Sequence, residues 1–128
     1  MVEHITNGIK ISVQTTYNGV VQQHKHQLNA FSYNISIENE TADTVQLLER
    51  FWEIYDALNH KEFVEGAGVV GQQPIIAPNA CHRYTSNCFL LAESGAMKGR
   101  FKMINLHSKD YFEATIPTFQ LNTTPEMN

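Results

Sequence analysis

One segment alternates apolar and polar side chains so strictly that only one secondary structure accommodates it. The apolar positions of residues 31–38 are Phe31, Tyr33, Ile35 and Ile37. In an extended chain this spacing places all four on one face, so the segment predicts a half-buried β-strand. Further strand candidates, separated by Gly, Pro or polar turns, are residues 9–14, 81–91, 97–106 and 111–116. Residues 18–27 are polar and are predicted to be a connection between strands. Many short strands with such turns predict a β-sandwich or a small barrel.

The segment Gly66-Ala67-Gly68-Val69-Val70-Gly71 matches the GxGxxG motif of dinucleotide-binding proteins. That motif needs a helix directly after it, whose N-terminus holds a pyrophosphate. Here Pro74 and Pro78 follow, and both would break the first turns of such a helix. We therefore interpret the segment as a glycine-rich loop between strands. Either its backbone N–H groups bind an anion, or its glycines permit positive φ angles, which is the commoner use of glycine.

Residues 44–58 carry two competing patterns. Their apolar residues at helical spacing are Leu47, Leu48, Phe51, Ile54, Tyr55 and Leu58. Asp43 and Gln46 also have the spacing of a capping box, so periodicity alone favours a helix. In the alternative strand, the shared face carries Leu48, Trp52 and Ile54 and must also include Arg50. The partners open to such an arginine are a carboxylate and a loop carbonyl.

The composition places the chain outside the classes that bind nucleic acid or enter membranes. We expect a single domain over residues 1–128, with its core between about residues 9 and 121 and loose termini. The net charge of −4 opposes general binding to nucleic-acid phosphates. The longest apolar runs fall far short of the ~20 residues of a membrane helix, and the N-terminus lacks the features of a secretion signal. These features predict a cytoplasmic location.

The two cysteines agree with that location. On one strand Cys81 and Cys88 would point to opposite faces and lie roughly 23 Å apart, at ~3.3 Å per residue. This separation excludes a disulfide between them. We expect free buried thiols in a reducing compartment.

The chain lacks the residue patterns of catalytic and metal sites. His24 and His26, together with Cys81 and His82, come nearest to a metal-ligand set, but the spacings of structural zinc sites are absent. Neither a nucleophile elbow nor a pair of carboxylates for acid–base chemistry is present. The sequence thus predicts no metal site, no cofactor and no enzymatic activity.

Basic residues offer the remaining candidate chemistry. Lys98, Arg100 and Lys102 would share one face of a strand, where a solvated outer face is the ordinary interpretation. Combined with the glycine loop, basic side chains could instead bind a phosphate. This candidate phosphate site comprises Gly66, Gly68, Gly71, Arg83, Lys98 and Arg100.

Taken in order, several segments make the chain resemble the ApaG family, also called the DUF525 domain, from about Ile9 to Leu121. The segments that carry the resemblance are residues 31–39 (FSYNISIEN), 45–52 (VQLLERFW), 65–74 (EGAGVVGQQP), Pro78, 84–88 (YTSNC), 95–99 (GAMKG) and 116–117 (IP). Two positions depart from the family pattern. Ala67 stands where members often have Glu, and Phe51 stands where many have His, so both lack a polar group.

The resemblance implies an all-β fold, an immunoglobulin- or fibronectin-III-like sandwich of about seven to eight strands. It also implies that residues 44–56 form a strand with Trp52 in the core. We accept the strand, because tertiary context can override a local pattern. Bacterial members of the family are linked genetically to cobalt resistance and magnesium efflux. Eukaryotic relatives carry the domain within F-box and polymerase-interacting proteins.

Two functional hypotheses follow. The first is a non-enzymatic interaction or regulatory domain with a protein partner. It predicts an exposed apolar or aromatic patch without converging polar groups, and the patch would include Phe63, Tyr55 or Phe119. The alternative is a binder of a pyrophosphate- or nucleotide-containing small molecule, which predicts that the glycine loop packs beside Arg83 or the Lys98–Lys102 stripe. A homodimer through sandwich edge strands is compatible with both.

Overall fold

A computed structural model describes residues 1–124, and over that range the chain forms nine β-strands and no helix. The strands are β1 (Val2–Thr6), β2 (Ile9–Gln23), β3 (His26–Asn39), β4 (Val45–Asp56), β5 (Glu62–Ala67), β6 (Ile75–Ile76), β7 (Cys81–Leu90), β8 (Ser94–Asn105) and β9 (Tyr111–Asn122). The predicted all-β class is confirmed, with slightly more strands than expected. None of the described elements is a helix long and apolar enough to cross a membrane.

The strands form two antiparallel sheets that pack face to face as a sandwich. The first sheet has the order β1-β2-β3-β7, and the second has the order β5-β4-β8-β9 with β6 paired to β4. Alternate residues of each strand point inward, as the alternation in residues 31–38 predicted. Strand β1 packs along β9 and closes one side of the sandwich. On the other side lie the edge strands β5 and β7.

Two segments predicted as irregular are strands. Residues 1–8, predicted to be loose, contain β1, because Asn7 and Gly8 adopt φ angles of 52° and 78° and form a tight turn into β2. An Asn-Gly pair is the typical residue pair of such a turn. Residues 18–27, predicted as a polar connection, form a hairpin that turns at His24 and Lys25. Its side chains are mostly exposed, so the segment lacks the apolar pattern that would mark it as a strand.

Strand β4 confirms the strand that the resemblance implied for residues 44–56, and the helix favoured by periodicity is wrong. A register shift between Leu47 and Glu49 inserts Leu48 as an extra residue in the pairing with β8. Inward positions are therefore odd-numbered before the shift and even-numbered after it. Aromatic residues such as Phe51 also occupy the outward positions. The inward positions change from odd to even, and apolar residues also lie on the outward face. Together these two features produce apolar spacings that resemble those of a helix.

The core lies between the sheets and includes the predicted tryptophan. Trp52 is 4% exposed and contacts Tyr33 and Phe119, with ring centroids 5.4 and 5.9 Å away. Cys88 is buried and free, as expected. Cys81 is free but exposed, so the expectation of two buried thiols is wrong for this residue. The predicted loose C-terminal tail includes residues 125–128, which lie outside the described range.

Candidate functional site

The glycine motif forms the end of β5 and a tight turn. Gly66 and Ala67 complete β5, and Val69 and Gln72 then exchange backbone hydrogen bonds of 2.7 and 3.0 Å. The turn between them consists of Val70 and Gly71, with φ angles of 47° and 75°. Positive φ at both central residues is the geometry of a type I′ turn. The segment thus lies between strands, and no helix follows it.

Two of the motif glycines lie in close contact with neighbouring residues. Gly66 lies opposite Arg50 in the β4–β5 pairing, and a Cβ atom there would lie 3.1 Å from the guanidinium. Gly68 has a φ of +64°, and its Cβ would lie 2.2 Å from the carbonyl oxygen of Gln72. These contacts give the motif a structural explanation that requires no phosphate ligand.

Arg50 reaches loop carbonyls, the second of the two partners considered for it. Its Nη1 atom donates hydrogen bonds of 2.9 Å to the carbonyl oxygens of Ala67 and of Gly68. The guanidinium therefore ties the glycine loop to β4. Within residues 1–124, Arg50 forms no ion pair with a carboxylate. A cation that faces the sandwich interior without an anionic partner is uncommon.

A cleft opens where β5 and β7 form the edge of the sandwich, and we call it the edge cleft. Its volume is about 540 Å³, which is within the range of ligand pockets. Its lining residues are Tyr33, Arg50, Trp52, Ala67, Val70, Gly71, Tyr84, Thr85, Ser86 and Asn87. The cleft is thus bounded by the glycine turn on one side and by β7 on the other.

The tyrosines of the edge cleft are held in their neutral form. Burial raises the pKa of the Tyr84 phenol far above its ordinary value, and burial also raises the pKa of Tyr33. The guanidinium of Arg50 is close enough to both phenols to oppose these shifts. Among the described residues, the Tyr84 hydroxyl is the one buried side-chain polar atom without a hydrogen-bond partner. The cleft therefore gathers a cation and two neutral hydroxyl groups.

The residues of the predicted phosphate site lie on separate surfaces. Gly71 lines the edge cleft, whereas Arg83 lies on β7 and lines a smaller cavity with Ser12 and Asn34 on the first sheet. Lys98 and Arg100 lie on β8, on the solvent-facing side of the second sheet. The outer faces of two packed sheets point in opposite directions. Arg83 therefore cannot act with Lys98 and Arg100 on one small ligand.

The solvent-facing side of the second sheet, which we call the outer face, pairs aromatic rings with cations. The Arg100 guanidinium lies 4.4 Å from the Phe51 ring centroid. Lys61 lies 5.0 Å from the Tyr55 centroid and 5.6 Å from that of Phe63. These distances are within the range of cation–π attraction.

A groove of about 970 Å³ runs across this face, and we call it the outer groove. Its lining residues are His4, Phe51, Trp52, Glu53, Phe63, Val64, Glu65, Lys98, Gly99, Arg100, Thr115, Ile116, Pro117 and Thr118. Phe63 is 68% exposed, as the interaction hypothesis predicted, and Tyr55 is half-buried. Phe119 is buried in the core, so its place in an exposed patch is wrong.

Carboxylates balance the cations of the outer face. Lys98 lies 3.3 Å from Glu53, and Arg100 lies 2.5 Å from Glu113. The Tyr55 hydroxyl donates to Glu53 and, with Lys98, lowers the pKa of that carboxyl. The Glu53 carboxylate in turn raises the pKa of Lys98. The stripe predicted as basic is therefore a surface of mixed charge. The prediction that the aromatic patch lacks converging polar groups is wrong for this face.

The candidate metal ligands form two groups at opposite ends of β3. Within residues 1–124, no three His, Cys, Asp or Glu side chains are placed to hold one metal ion. His24 is at the tip of the β2–β3 hairpin, and His26 begins β3. Cys81 and His82 lie on β7, paired with Glu38 and Ile37.

Sequence reasoning missed the residues that converge in the edge cleft. Arg50 carried a usable signal, since a lone arginine among apolar strand residues needs a partner. Tyr33 and Tyr84 carried none, because their patterns are those of ordinary half-buried strands. Their proximity depends on β3 pairing with β7, and 51 residues separate Tyr33 from Tyr84 along the chain.

The two packed antiparallel sheets define a small immunoglobulin-like sandwich domain. Its glycine turn is bonded to Arg50 of β4. Residues 19–105 match the family model of the ApaG domain, DUF525. The chain is 38% identical to Protein ApaG of Brucella suis biovar 1 over 122 residues, covering 95% of this chain and 93% of that protein. It is 40% identical to Protein ApaG of Caulobacter vibrioides over 117 residues, covering 91% and 83%. The chain belongs to the ApaG family.

A solved structure extends the likeness to three dimensions. An X-ray structure of a Northeast Structural Genomics Consortium target superposes with a TM-score of 0.86 at 37% identity. The match covers 91% of this chain and 88% of the other. This chain and that solved protein therefore have the same sandwich fold.

Proposed function

We propose that the chain is a non-enzymatic protein-interaction domain that binds its partner through the outer face. The observation that carries this proposal is the outer groove, in which exposed Phe63 and the ring of Phe51 lie beside cations and carboxylates. Aromatic residues and arginine dominate the binding energy of protein interfaces. A face that combines them in one groove has the composition of an interface core with a charged rim.

The charge pattern indicates what kind of partner fits. Lys98 and Arg100 are both close to carboxylates, so the groove presents alternating charges to its partner. A polyanion would be repelled by Glu53 and Glu65 in the same groove. We therefore propose a protein partner that inserts an apolar side chain between Phe51 and Phe63 and offers polar groups of both signs around it.

The test uses two phenylalanines on opposite sides of the sandwich. Phe63 lies on the outer face, whereas Phe89, which is 44% exposed, lies on β7 of the first sheet. The wild type, Phe63→Ala and Phe89→Ala are each used as bait in a cell extract, and captured proteins are quantified. We expect a partner that the wild type and Phe89→Ala retain equally and that Phe63→Ala loses by at least about tenfold, as for a hot-spot residue. Equal capture by all three baits would refute the proposed surface.

The predicted location and the family's link to metal ions extend this proposal. We propose that the domain acts in the cytoplasm and that any influence on cobalt or magnesium handling passes through the bound protein. The relevant measurement is a titration of the purified protein with Co²⁺ and Mg²⁺, monitored by backbone amide NMR shifts. Saturable shifts at a defined cluster of residues would show direct binding and contradict the indirect route.

A further inference from the structure

We propose that the edge cleft binds a small molecule through a single oxyanion group, a phosphate or a carboxylate, held by Arg50 and the Tyr84 hydroxyl. This inference does not depend on the proposed protein interface. Trp52 lines both the edge cleft and the outer groove, but Arg50 and Tyr84 line the edge cleft and not the outer groove. The inference also differs from the phosphate site that the sequence predicted. Arg83, Lys98 and Arg100 have no part in it.

The first support is the unused hydrogen-bonding capacity of Arg50. A guanidinium has five N–H donors, and Nη1 supplies both bonds to the carbonyls of Ala67 and Gly68. Within residues 1–124, Nη2 and Nε form no hydrogen bond. Those two bonds hold the guanidinium in place without neutralising its charge. A fixed, unneutralised guanidinium in a cleft is suited to an oxyanion.

The second support is the Tyr84 hydroxyl. It is buried against the cleft and has no hydrogen-bond partner within the described residues. Buried hydroxyl groups without partners are rare in native proteins, and each calls for an explanation. Its neighbour across β3 and β7 is the hydroxyl of Tyr33, which has Ser86 beside it. A ligand oxygen between Arg50 and Tyr84 would accept hydrogen bonds from both.

The third support is backbone strain at the rim of the cleft. Val70 has a φ of 47° and is 64% exposed. A positive φ is unfavourable for a β-branched residue, and asparagine or glycine is the ordinary choice in a type I′ turn. Strain of this kind concentrates at ligand sites. Val70 is not part of the core that could offset this strain, but it lines the cleft.

The size and lining of the cleft limit the ligand. A volume of about 540 Å³ is within the range of small-molecule pockets. Trp52 and Tyr33 supply apolar ring surface, while Thr85, Ser86 and Asn87 on β7 supply neutral polar groups. No carboxylate lines the cleft, so nothing in it would repel an anion. The ligand expected is a compact molecule with one oxyanion and a small apolar or hydroxylated body.

The experiment uses the fluorescence of Trp52, which is the only tryptophan in the chain and lines the cleft. The purified protein is titrated with inorganic phosphate, with pyrophosphate and with acetate, all at constant ionic strength. We expect a saturable change in emission, and comparison of the three anions distinguishes phosphate from carboxylate as the preferred group. Simple salt effects are corrected with chloride.

The decisive variant is Tyr84→Phe. It removes a hydroxyl that has no partner in the unbound protein, so the melting temperature should not fall. We expect the affinity for the preferred anion to fall by about tenfold or more, because a hydrogen bond to a charged group is lost. Tyr55→Phe is the matched control, since its hydroxyl bonds to Glu53 on the outer face, and it should leave the affinity unchanged.

Two results would overturn the inference. One is the absence of saturable binding for all three anions at tens of millimolar. The other is binding that Tyr84→Phe leaves intact or that Tyr55→Phe weakens equally. Because Tyr84→Phe spares the contacts of Arg50 with the glycine loop, a lower affinity of this variant cannot be attributed to unfolding when the melting temperature is unchanged.

Discussion

Replacing Asn39 with alanine should remove the strongest polar connection inside the sandwich. Asn39 is fully buried and is the one buried polar residue within the described range. Its Nδ2 atom donates to the carbonyl oxygens of Asp43 and Ile76, each at 2.9 Å. Its Oδ1 atom accepts from the backbone N–H of Thr41 at 2.9 Å and from the Thr41 hydroxyl at 2.7 Å. One amide thus links the end of β3 to the turn before β4 and to β6.

The size of the effect follows from these four hydrogen bonds. At about 1 kcal/mol net for each bond, their loss lowers the free energy of unfolding by roughly 4 kcal/mol. Native domains are stable by only ~5–15 kcal/mol, so the variant keeps a small margin at best. For a domain of this size, 1 kcal/mol corresponds to about 4 °C, and the melting temperature should fall by about 15 °C.

Urea unfolding followed by circular dichroism measures this loss. The control is Asn34→Ala, whose side chain bonds to Thr85 on the exposed surface and whose loss should cost less than about 1 kcal/mol. Thr41→Val gives an intermediate case, because it removes the hydroxyl and leaves the Asn39 amide bonded to Asp43 and Ile76. A loss below about 1 kcal/mol for Asn39→Ala, or one equal to that of Asn34→Ala, would refute the role assigned to this amide.

Further predictions concern the glycine turn and the thiols. Val70→Asn should raise the free energy of unfolding by about 1 kcal/mol in urea titrations, because asparagine tolerates the positive φ; a lower stability would contradict the strain at this residue. Gly68→Ala should lose more than about 2 kcal/mol, whereas Gly71→Ala should lose only about 1 kcal/mol, since its Cβ would meet nothing within 4 Å; similar losses would show that φ alone matters. Burial raises the pKa of the Cys88 thiol to about 11, so a thiol reagent at pH 8 should label one cysteine, Cys81, in the native protein and both after denaturation. Because the folded pKa of Cys88 exceeds its ordinary value of 9.0, its contribution to stability is complete below pH 9 and is lost as the pH rises towards 11; Cys88→Ala should flatten that decline, and an unchanged pH profile would argue against it.

The structural role of Gly68 changes how the glycine motif can be tested. A Gly68→Ala variant would ordinarily separate a phosphate site from a structural glycine. The close approach to Gln72 means that Gly68→Ala would destabilise the turn whether or not a ligand binds there. Tyr84→Phe is the cleaner probe, because it alters the edge cleft without disturbing a contact of the unbound protein.

The alternating segments determined the all-β class by themselves. A period of two permits only a strand, and the strict alternation in residues 31–38 leads directly to the inward face of β3. The prolines after Gly71 were equally decisive, since a residue without an N–H donor cannot begin the helix that a dinucleotide site requires. Such features depend on neighbouring residues alone, and the sequence displays them fully.

Only the tertiary structure decided the phase of β4 and the composition of the edge cleft. The extra residue Leu48 is defined by pairing with β8, so no local pattern could reveal that inward positions change from odd to even. Arg50, Tyr33 and Tyr84 come from three strands in two sheets and converge because of how those sheets pack. Local periodicity reports which face a side chain occupies. It carries no information about which distant residue faces it, because register and packing are set by contacts across the whole sandwich.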